Sequence, residues 1–215
     1  MSTAILQLTL LQLKPDSKLD EVGSPAGDAL LDVISVVTKA GDGQNRAYFG
    51  HQLENPGVGV LAFVYPTEEA SRVFSPPSAP KLGAFSTSAA TRTFEFSPAE
   101  GLDKALEAPT TEIATGYGAE EGYEKNMREF SEVLNGELKG KEDAGFHGCV
   151  VGTTVQDISR EEGGEKAKAV ALVVGWDSRE KHMEGREVGE IPSKIGLIRV
   201  QRKEMDMWHV NFKEY

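Results

Sequence analysis

The chain carries the same run of residue types twice, and this repeat limits the possible folds more than any other feature. Residues 60–69 align with residues 171–180 at an offset of 111, and each copy reads as an apolar strand, an aromatic residue, a hydroxyl residue and an acidic first helical turn. The hydroxyl residues are Thr67 and Ser178. Such a residue accepts hydrogen bonds from unpaired helix amides, and the carboxylates complement the helix dipole. Each copy therefore predicts a strand that leads into a capped helix.

The flanking segments extend the repeat to the order β-α-β-β-α-β in both halves. Two amphipathic helices have apolar residues at a spacing of three and four, which is typical of one buried face. One begins at Ser24-Pro25 and the other near Tyr123. Their apolar faces are Leu30, Val33, Ile34 and Val37 in the first half, and Tyr123, Met127, Phe130, Leu134 and Leu138 in the second. The remaining predicted strands are Ile5–Leu13, Tyr48–His51, Thr91–Phe96, Glu112–Tyr117, 146–149 and Met205–Phe212.

This order predicts an α+β fold of two tandem ferredoxin-like units, with domains at residues 1–100 and 108–215. Each unit has one sheet face without helices, and a second copy in the same chain would bury it as a pseudo-dimeric α/β barrel. Gly101–Pro109 is the expected linker, with a short helical turn. The second helix of the first half is expected to be short, because Pro76, Pro77 and Pro80 follow it closely.

The net charge and the cysteine content limit the classes of binding partner and the redox setting that suit this chain. The net charge is −11, which disfavours binding to nucleic acid and to anionic membranes. Cys149 is the only cysteine, so no disulfide forms within the chain, which suits a reducing, cytoplasmic setting. No apolar run is long enough to cross a bilayer. The expected partner is a small neutral or apolar molecule, such as an aromatic one, or another protein, and further association of the fused pseudo-dimer into a homo-oligomer is left open.

The second half resembles a known superfamily through residues 170–183 and through Met205–Val210 at the end of the chain. The resemblance is to the dimeric α/β-barrel proteins, which include antibiotic-biosynthesis-type monooxygenases and stress-responsive A/B-barrel proteins. It covers most of the chain as architecture, but it is strong over only about 40 residues. It implies cofactor-independent oxygenation of an aromatic or polyketide-like molecule. Two alternatives are polyketide cyclisation and non-catalytic binding of a small molecule.

Signatures of phosphate loops, zinc sites and serine nucleophiles are absent, so neither a cofactor nor a metal is expected. His209 and His182 are the candidate catalytic bases, because an imidazole in an apolar cavity accepts protons near neutral pH. The alternative for His209 is a core residue, and for His182 a solvated helix face. Trp208 and His209 are adjacent on one strand, so only one of them can face the helices.

The aromatic residues of the second half supply candidate walls for a ligand. The expected ligand-binding residues are Trp176, Trp208, Tyr123, Met127 and Phe130, each of which has a role in the core as its alternative. Tyr65 takes the place of Trp176 in the first half. The pocket is therefore expected in the second half, between the sheet and the helices.

Overall fold

The chain forms two compact α+β units. The computed structural model describes residues 2–19, 21, 23–40, 43–73, 79–161 and 163–215. The N-terminal unit consists of Ala4–Thr93 and Lys213–Tyr215, and the C-terminal unit of Ser2, Thr3 and Phe94–Phe212. The division lies ahead of the predicted linker because Phe94–Phe96, at the end of a strand, pair with a strand of the C-terminal unit. None of the described helices is long and apolar enough to span a membrane.

The N-terminal unit has the predicted order β-α-β-β-α-β. Its elements are β1 (Ala4–Leu13), α1 (Pro25–Ala40), β2 (Arg46–His51), β3 (Val58–Tyr65), α2 (Glu68–Val73), α3 (Ala79–Leu82) and β4 (Ser86–Phe96), whose last three residues belong to the C-terminal unit. The strand order is β4-β1-β3-β2, in which β1 and β2 both pair antiparallel with β3. This is the strand order of a ferredoxin-like unit.

Local sequence explains why α1 and α2 begin where they do. The Ser24 hydroxyl accepts a hydrogen bond from the Gly27 amide at 2.9 Å, and the Thr67 hydroxyl accepts one from the Ala70 amide at 3.1 Å. The apolar face predicted for α1 is buried, which confirms that helix. The predicted limit on α2 by Pro76 and Pro77 falls outside the described residues, and the side chain of Pro80 is likewise not described.

The C-terminal unit repeats the same order. Its elements are α4 (Leu102–Leu106), β5 (Thr110–Tyr117), α5 (Tyr123–Leu138), a 3-10 helix (Glu142–Ala144), β6 (Phe146–Thr154), β7 (Ala169–Trp176), α6 (Arg179–Gly185), α7 (Ile191–Lys194), a second 3-10 helix (Ile195–Ile198) and β8 (Glu204–Val210). The strand order is β8-β5-β7-β6, with every pair antiparallel. A short strand β9 (Lys213–Glu214) pairs with β2 of the N-terminal unit.

These observations confirm the α+β class and the order of elements in each half. The predicted face of α5 is also buried. The Ser178 hydroxyl caps α6 by accepting from the Lys181 amide at 3.3 Å. The pseudo-dimeric barrel stays a prediction.

The predicted linker is a docked part of the C-terminal unit. The apolar residues of α4, which include Leu102 and Ala105, are fully buried. The Thr111 hydroxyl donates to the Ala105 carbonyl at 2.7 Å. A Cβ atom at Gly175 of β7 would lie 2.8 Å from the Ala105 Cα atom, so the backbones of α4 and β7 approach closely only because residue 175 lacks a side chain. The sequence at this position is therefore set by packing between a helix and a strand.

We expect Gly175→Ala to lower the free energy of unfolding by about 1–3 kcal/mol, as overpacking of a close contact does. Gly136→Ala is the matched control, because a Cβ there meets nothing within 4 Å on helix α5. This control should raise stability by about 0.5–1 kcal/mol. Urea unfolding of both variants measures the difference. An unchanged stability for Gly175→Ala would show that α4 does not pack closely on β7.

Candidate functional site

The C-terminal unit encloses a cavity of about 280 Å³ between its sheet and its helices. This volume is near the lower end of sites for small ligands. The apolar lining is Phe130, Leu134, Leu172, Trp176, Ile195, Ile198, Met205 and Met207. The polar lining is Glu112, His182, Arg186, Arg199 and Arg202. An apolar body with a few convergent polar groups is typical of a binding site for a small organic molecule.

Strand register places Glu112 at the inner end of the cavity, on the same sheet face as His209. Glu112 of β5 pairs with Val174 of β7 on one side and with His209 of β8 on the other, so all three side chains lie on the same sheet face. Val174 belongs to the core that packs under α5, which identifies this face as the one covered by helices. Trp176 ends β7, and the capped turn at Ser178 then positions His182 on α6, directly above this face.

A chain of polar contacts joins these residues. The Trp176 Nε1–H donates to Glu112 Oε2 at 2.9 Å, and His182 Nε2 lies 3.5 Å from the same oxygen. His182 Nδ1 and His209 Nε2 share a hydrogen bond of 2.8 Å. The Trp176 ring also stacks on the His182 ring, with centroids 5.3 Å apart. These contacts fix the orientation of both imidazoles.

The network is buried, and burial sets the charge of its central imidazole. Glu112, His182 and His209 are 6%, 4% and 2% exposed. Burial lowers the pKa of His182, and the neighbouring Glu112 carboxylate opposes part of this effect. His182 is therefore neutral at pH 7, with a lone pair on one ring nitrogen. A neutral imidazole beside a carboxylate, at the wall of an apolar cavity, can accept a proton from a bound ligand.

The structure brings some of the predicted site residues together and separates others. His182, Trp176 and Phe130 line the cavity. His209 is on the helix-covered face and contacts His182, but it lies outside the cavity lining. Trp208 is directed to the opposite face, which resolves the alternative between these two neighbours.

Tyr123 and Met127 are fully buried in the core of the C-terminal unit and are not part of the cavity lining. The Tyr123 hydroxyl donates to the Ile198 carbonyl at 3.3 Å, and burial raises the pKa of this phenol to about 12. The contacts observed for Tyr123 therefore stabilise the core of the C-terminal unit. The proposed ligand contacts of these two residues stay predictions.

Sequence reasoning missed Glu112 and the three cavity arginines. One signal was available for Glu112, because it is the single charged residue of β5, a strand that is buried along its full length. A carboxylate at such a position requires hydrogen-bond partners and commonly marks a functional site. Arg199 and Arg202 belong to the one basic cluster of the sequence, which has three basic residues in the five positions 199–203. Their approach to the cavity and to Arg186 depends on the tertiary fold.

The N-terminal unit carries a neutral version of the same arrangement. Tyr65 corresponds to Trp176 in the repeat, and its hydroxyl donates to the Gln7 side chain at 3.3 Å. Gln7 matches Glu112, because the register pairs Ile5 with Tyr65 as it pairs Thr110 with Trp176. Ser71 stands at the offset of 111 where His182 stands in the C-terminal unit. Only the C-terminal copy therefore combines a carboxylate and an imidazole at these positions.

Glu112, His182 and His209 are also a group of residue types that can bind a metal ion. Glu112, His182 and His209 each place one ligand atom within 4.8 Å of the others. The Nδ1 atom of His182 and the Nε2 atom of His209 are hydrogen-bonded at 2.8 Å. Two histidine nitrogens bound to one tetrahedral zinc ion would be farther apart, at about 3.3 Å. His182 Nδ1 is taken up by the hydrogen bond to His209, and His182 Nε2 lies 3.5 Å from Glu112 with no hydrogen bond to a described residue. This arrangement suits a proton-sharing pair better than a zinc site.

Comparison with known proteins shows the fold. No protein-family model matches the chain, and no curated protein sequence matches it. A suggested monooxygenase from Lactobacillus acidophilus NCFM matches with a TM-score of 0.62 and 10% identity, over 99% of this chain and 95% of that one. A suggested monooxygenase from Fusobacterium nucleatum gives 0.61 and 12%, over 99% and 94%. An anthrone oxidase-like protein gives 0.56 and 14%, over 98% and 91%.

The matches also include a suggested chlorite dismutase, with a TM-score of 0.54 and 9% identity over 99% of this chain and 96% of that one. At these identities the likeness concerns the fold and not the reaction. The chain thus has the ferredoxin-like α+β fold that these solved structures share.

The lowered pKa of His182 predicts a pH dependence of stability. The unfolded chain binds a proton at this residue below about pH 6.5, whereas the folded protein does so only at lower pH. The stability linked to His182 is therefore complete above pH 6.5. It is lost as pH falls from there to the folded pKa, with a slope of at most about 1.4 kcal/mol per pH unit.

Urea unfolding at several pH values should show this loss in the wild-type protein and its absence in His182→Gln. Ser71→Ala, at the equivalent position of the N-terminal unit, is the control and should keep the wild-type pH dependence. The same acid-induced loss in His182→Gln as in wild type would contradict a neutral, buried His182.

Proposed function

We propose that the protein is a cofactor-independent monooxygenase that oxidises an aromatic or polyketide-like molecule in the cavity of the C-terminal unit. The observation that carries this proposal is the buried network of Glu112, His182 and His209, which meets an apolar cavity at the neutral imidazole of His182. His182 is the proposed base because it lines the cavity. His209 is a proposed positioning residue, since its Nε2 atom bonds to His182.

The chemistry requires little more than this base and the exclusion of water. His182 removes a proton from an activated CH₂ group of an anthrone-type ring, and the resulting carbanion transfers one electron to O₂. The radical pair combines to form a C–O bond, and the peroxide takes the proton back from His182. Loss of water breaks the O–O bond and leaves a carbonyl, so that CH₂ and O₂ give C=O and H₂O. The apolar wall excludes bulk water from the carbanion.

The assignment of roles follows from the contacts. Glu112 stabilises positive charge on His182 when the proton is transferred, since its oxygen lies 3.5 Å from His182 Nε2. Trp176 donates to the same carboxylate and stacks on the imidazole, so it holds both groups in place. Phe130 and Leu172 are suited to contact the faces of a planar substrate.

Oxygen consumption with an anthrone-type substrate, corrected for spontaneous oxidation, tests the reaction. We expect His182→Gln to lower kcat/KM by about 10²–10⁴-fold, the usual contribution of a general base. Ser71→Ala, at the equivalent position of the N-terminal unit, is the matched control and should retain the wild-type rate. Labelled O₂ should place one oxygen atom in the product. Wild-type turnover by a folded His182→Gln variant would remove this residue from the mechanism.

The same assay separates the alternatives. Formation of a cyclised product without oxygen consumption would identify a polyketide cyclase, because cyclisation needs the base and the cavity but no oxidant. Ligand binding without turnover would identify a non-catalytic binding protein. A His209→Asn variant tests the positioning role. It should shift the pH profile of kcat, whereas a residue that only fills the core would change stability alone.

Independence from cofactors is a separate prediction. Purified protein, dialysed against a metal chelator, should show no visible absorption band and should retain its full rate with an anthrone-type substrate. The physical reason is that a deprotonated anthrone reduces O₂ without help. A stoichiometric flavin or haem spectrum, or recovery of activity only when metal is added back, would overturn this part of the proposal.

The pseudo-dimeric α/β barrel is proposed together with this function. It is supported by the ferredoxin-like strand order within each unit, because such a sheet has one face that its own two main helices do not cover.

A further inference from the structure

Three arginines line the cavity in addition to the buried carboxylate and imidazole. Arg186 follows α6, Arg199 follows the second 3-10 helix, and Arg202 precedes β8. Arg186 and Arg202 are half-buried and Arg199 is exposed, whereas Glu112 and His182 are buried. The cavity therefore has a polar inner end and a cationic outer end.

Their contacts with the protein are few. The Arg202 Nε–H donates to the Ile198 carbonyl at 2.9 Å, and its guanidinium also hydrogen-bonds with the Tyr123 hydroxyl. Arg186 Nη1 lies 3.7 Å from the sulfur of Met183. Within the described part of the chain, none of the three guanidinium groups has a carboxylate oxygen within 4.0 Å.

The lack of carboxylate partners is unusual in so acidic a chain, which has 34 acidic and 23 basic residues. Other cations of the same unit have carboxylate partners. Lys194 pairs with Glu129 at 3.0 Å, and Lys203, adjacent to Arg202, pairs with Glu165 at 2.7 Å. Three guanidinium groups without carboxylate partners around one opening produce a local positive potential, which attracts anions to the cavity.

We propose that the ligand of this cavity is an aromatic acid whose carboxylate binds to Arg186, Arg199 and Arg202 at the outer end. The choice of an aromatic body rests on the proposed function, while the anionic group follows from the arginines. Guanidinium groups bind carboxylates through paired, charge-assisted hydrogen bonds, and they favour a planar oxyanion over a neutral polar group.

The two ends of the cavity also determine the orientation of the ligand. A carboxylate at the inner end would be close to Glu112 and would lose its hydration, so both repulsion and desolvation disfavour it there. At the outer end it meets the arginines and remains near water. The aromatic ring then points toward His182, which is the arrangement that proton removal from the ring requires. The arginines thus act in substrate recognition and orientation.

Binding of ligands that cannot be oxidised tests the proposal without turnover. We would titrate the whole protein with anthraquinone-2-carboxylate, its neutral carboxamide and the corresponding sulfonate, by calorimetry. The carboxylate should bind at least tenfold more tightly than the carboxamide, and its advantage should shrink as sodium chloride is raised. A tighter sulfonate would overturn the carboxylate assignment in favour of a sulfate or phosphate ester.

Substitution of the arginines gives the second part of the test. Arg199→Gln and Arg202→Gln should each weaken carboxylate binding by about tenfold, the usual effect of losing a charged hydrogen bond. Both should leave carboxamide binding within about twofold. Arg199 is exposed and without an ion pair to a described residue, so its substitution does not threaten folding. Arg128→Gln, on the surface of α5 and paired with Glu124, is the control and should bind as wild type.

The possible outcomes are distinct. Equal affinity for acid and amide, equal losses for both in the arginine variants, or binding of neither would each overturn the proposal. If the acid binds through the arginines but an anthrone is not oxidised, the proposed reaction fails and the anion site remains. If an anthrone is oxidised and the arginine variants bind the acid as wild type does, the anion site fails and the reaction remains.

Discussion

The site in the C-terminal unit depends on the burial of one carboxylate. Glu112 lies within a fully buried strand, where an unpartnered ionised group would cost several kcal/mol. The Trp176 indole donates to it and the His182 imidazole lies beside it. The position of α6 brings His182 to this carboxylate and to the Trp176 ring, and His182 in turn bonds to His209. The cavity opens where these residues replace ordinary apolar packing.

The two units show how a duplicated fold can confine chemistry to one copy. Tyr65 and Gln7 form a neutral hydrogen bond where Trp176 and Glu112 form a charged one, and Ser71 stands in the place of His182. The neutral pair joins the two equivalent strands, but it provides no group that takes up a proton at neutral pH. The order of elements is therefore preserved in both halves, while at these equivalent positions only the second half has residues suited to acid–base chemistry.

Much of the fold could be predicted because its signals are local. The capping hydroxyls of Thr67 and Ser178 mark the starts of helices, and the spacing of apolar residues identifies the buried faces of α1 and α5. The docking of α4 could not be predicted in this way. Leu102 and Ala105 resemble a short turn in a linker, and their burial depends on the absence of a side chain at Gly175, about 70 residues further along.

The sequence by itself determined the class of fold, the order of elements in each half and the preference for the second half as the place of the site. It also required that only one of Trp208 and His209 face the helices, since neighbouring strand residues alternate. Tertiary structure decided that His209 is that residue, because the register of β8 places it beside Glu112. It also decided which side chains surround the cavity. Glu112, His182 and Arg202 are distant in sequence, and only the pairing of β5 with β7 and β8 and the packing of α6 bring them to one cavity.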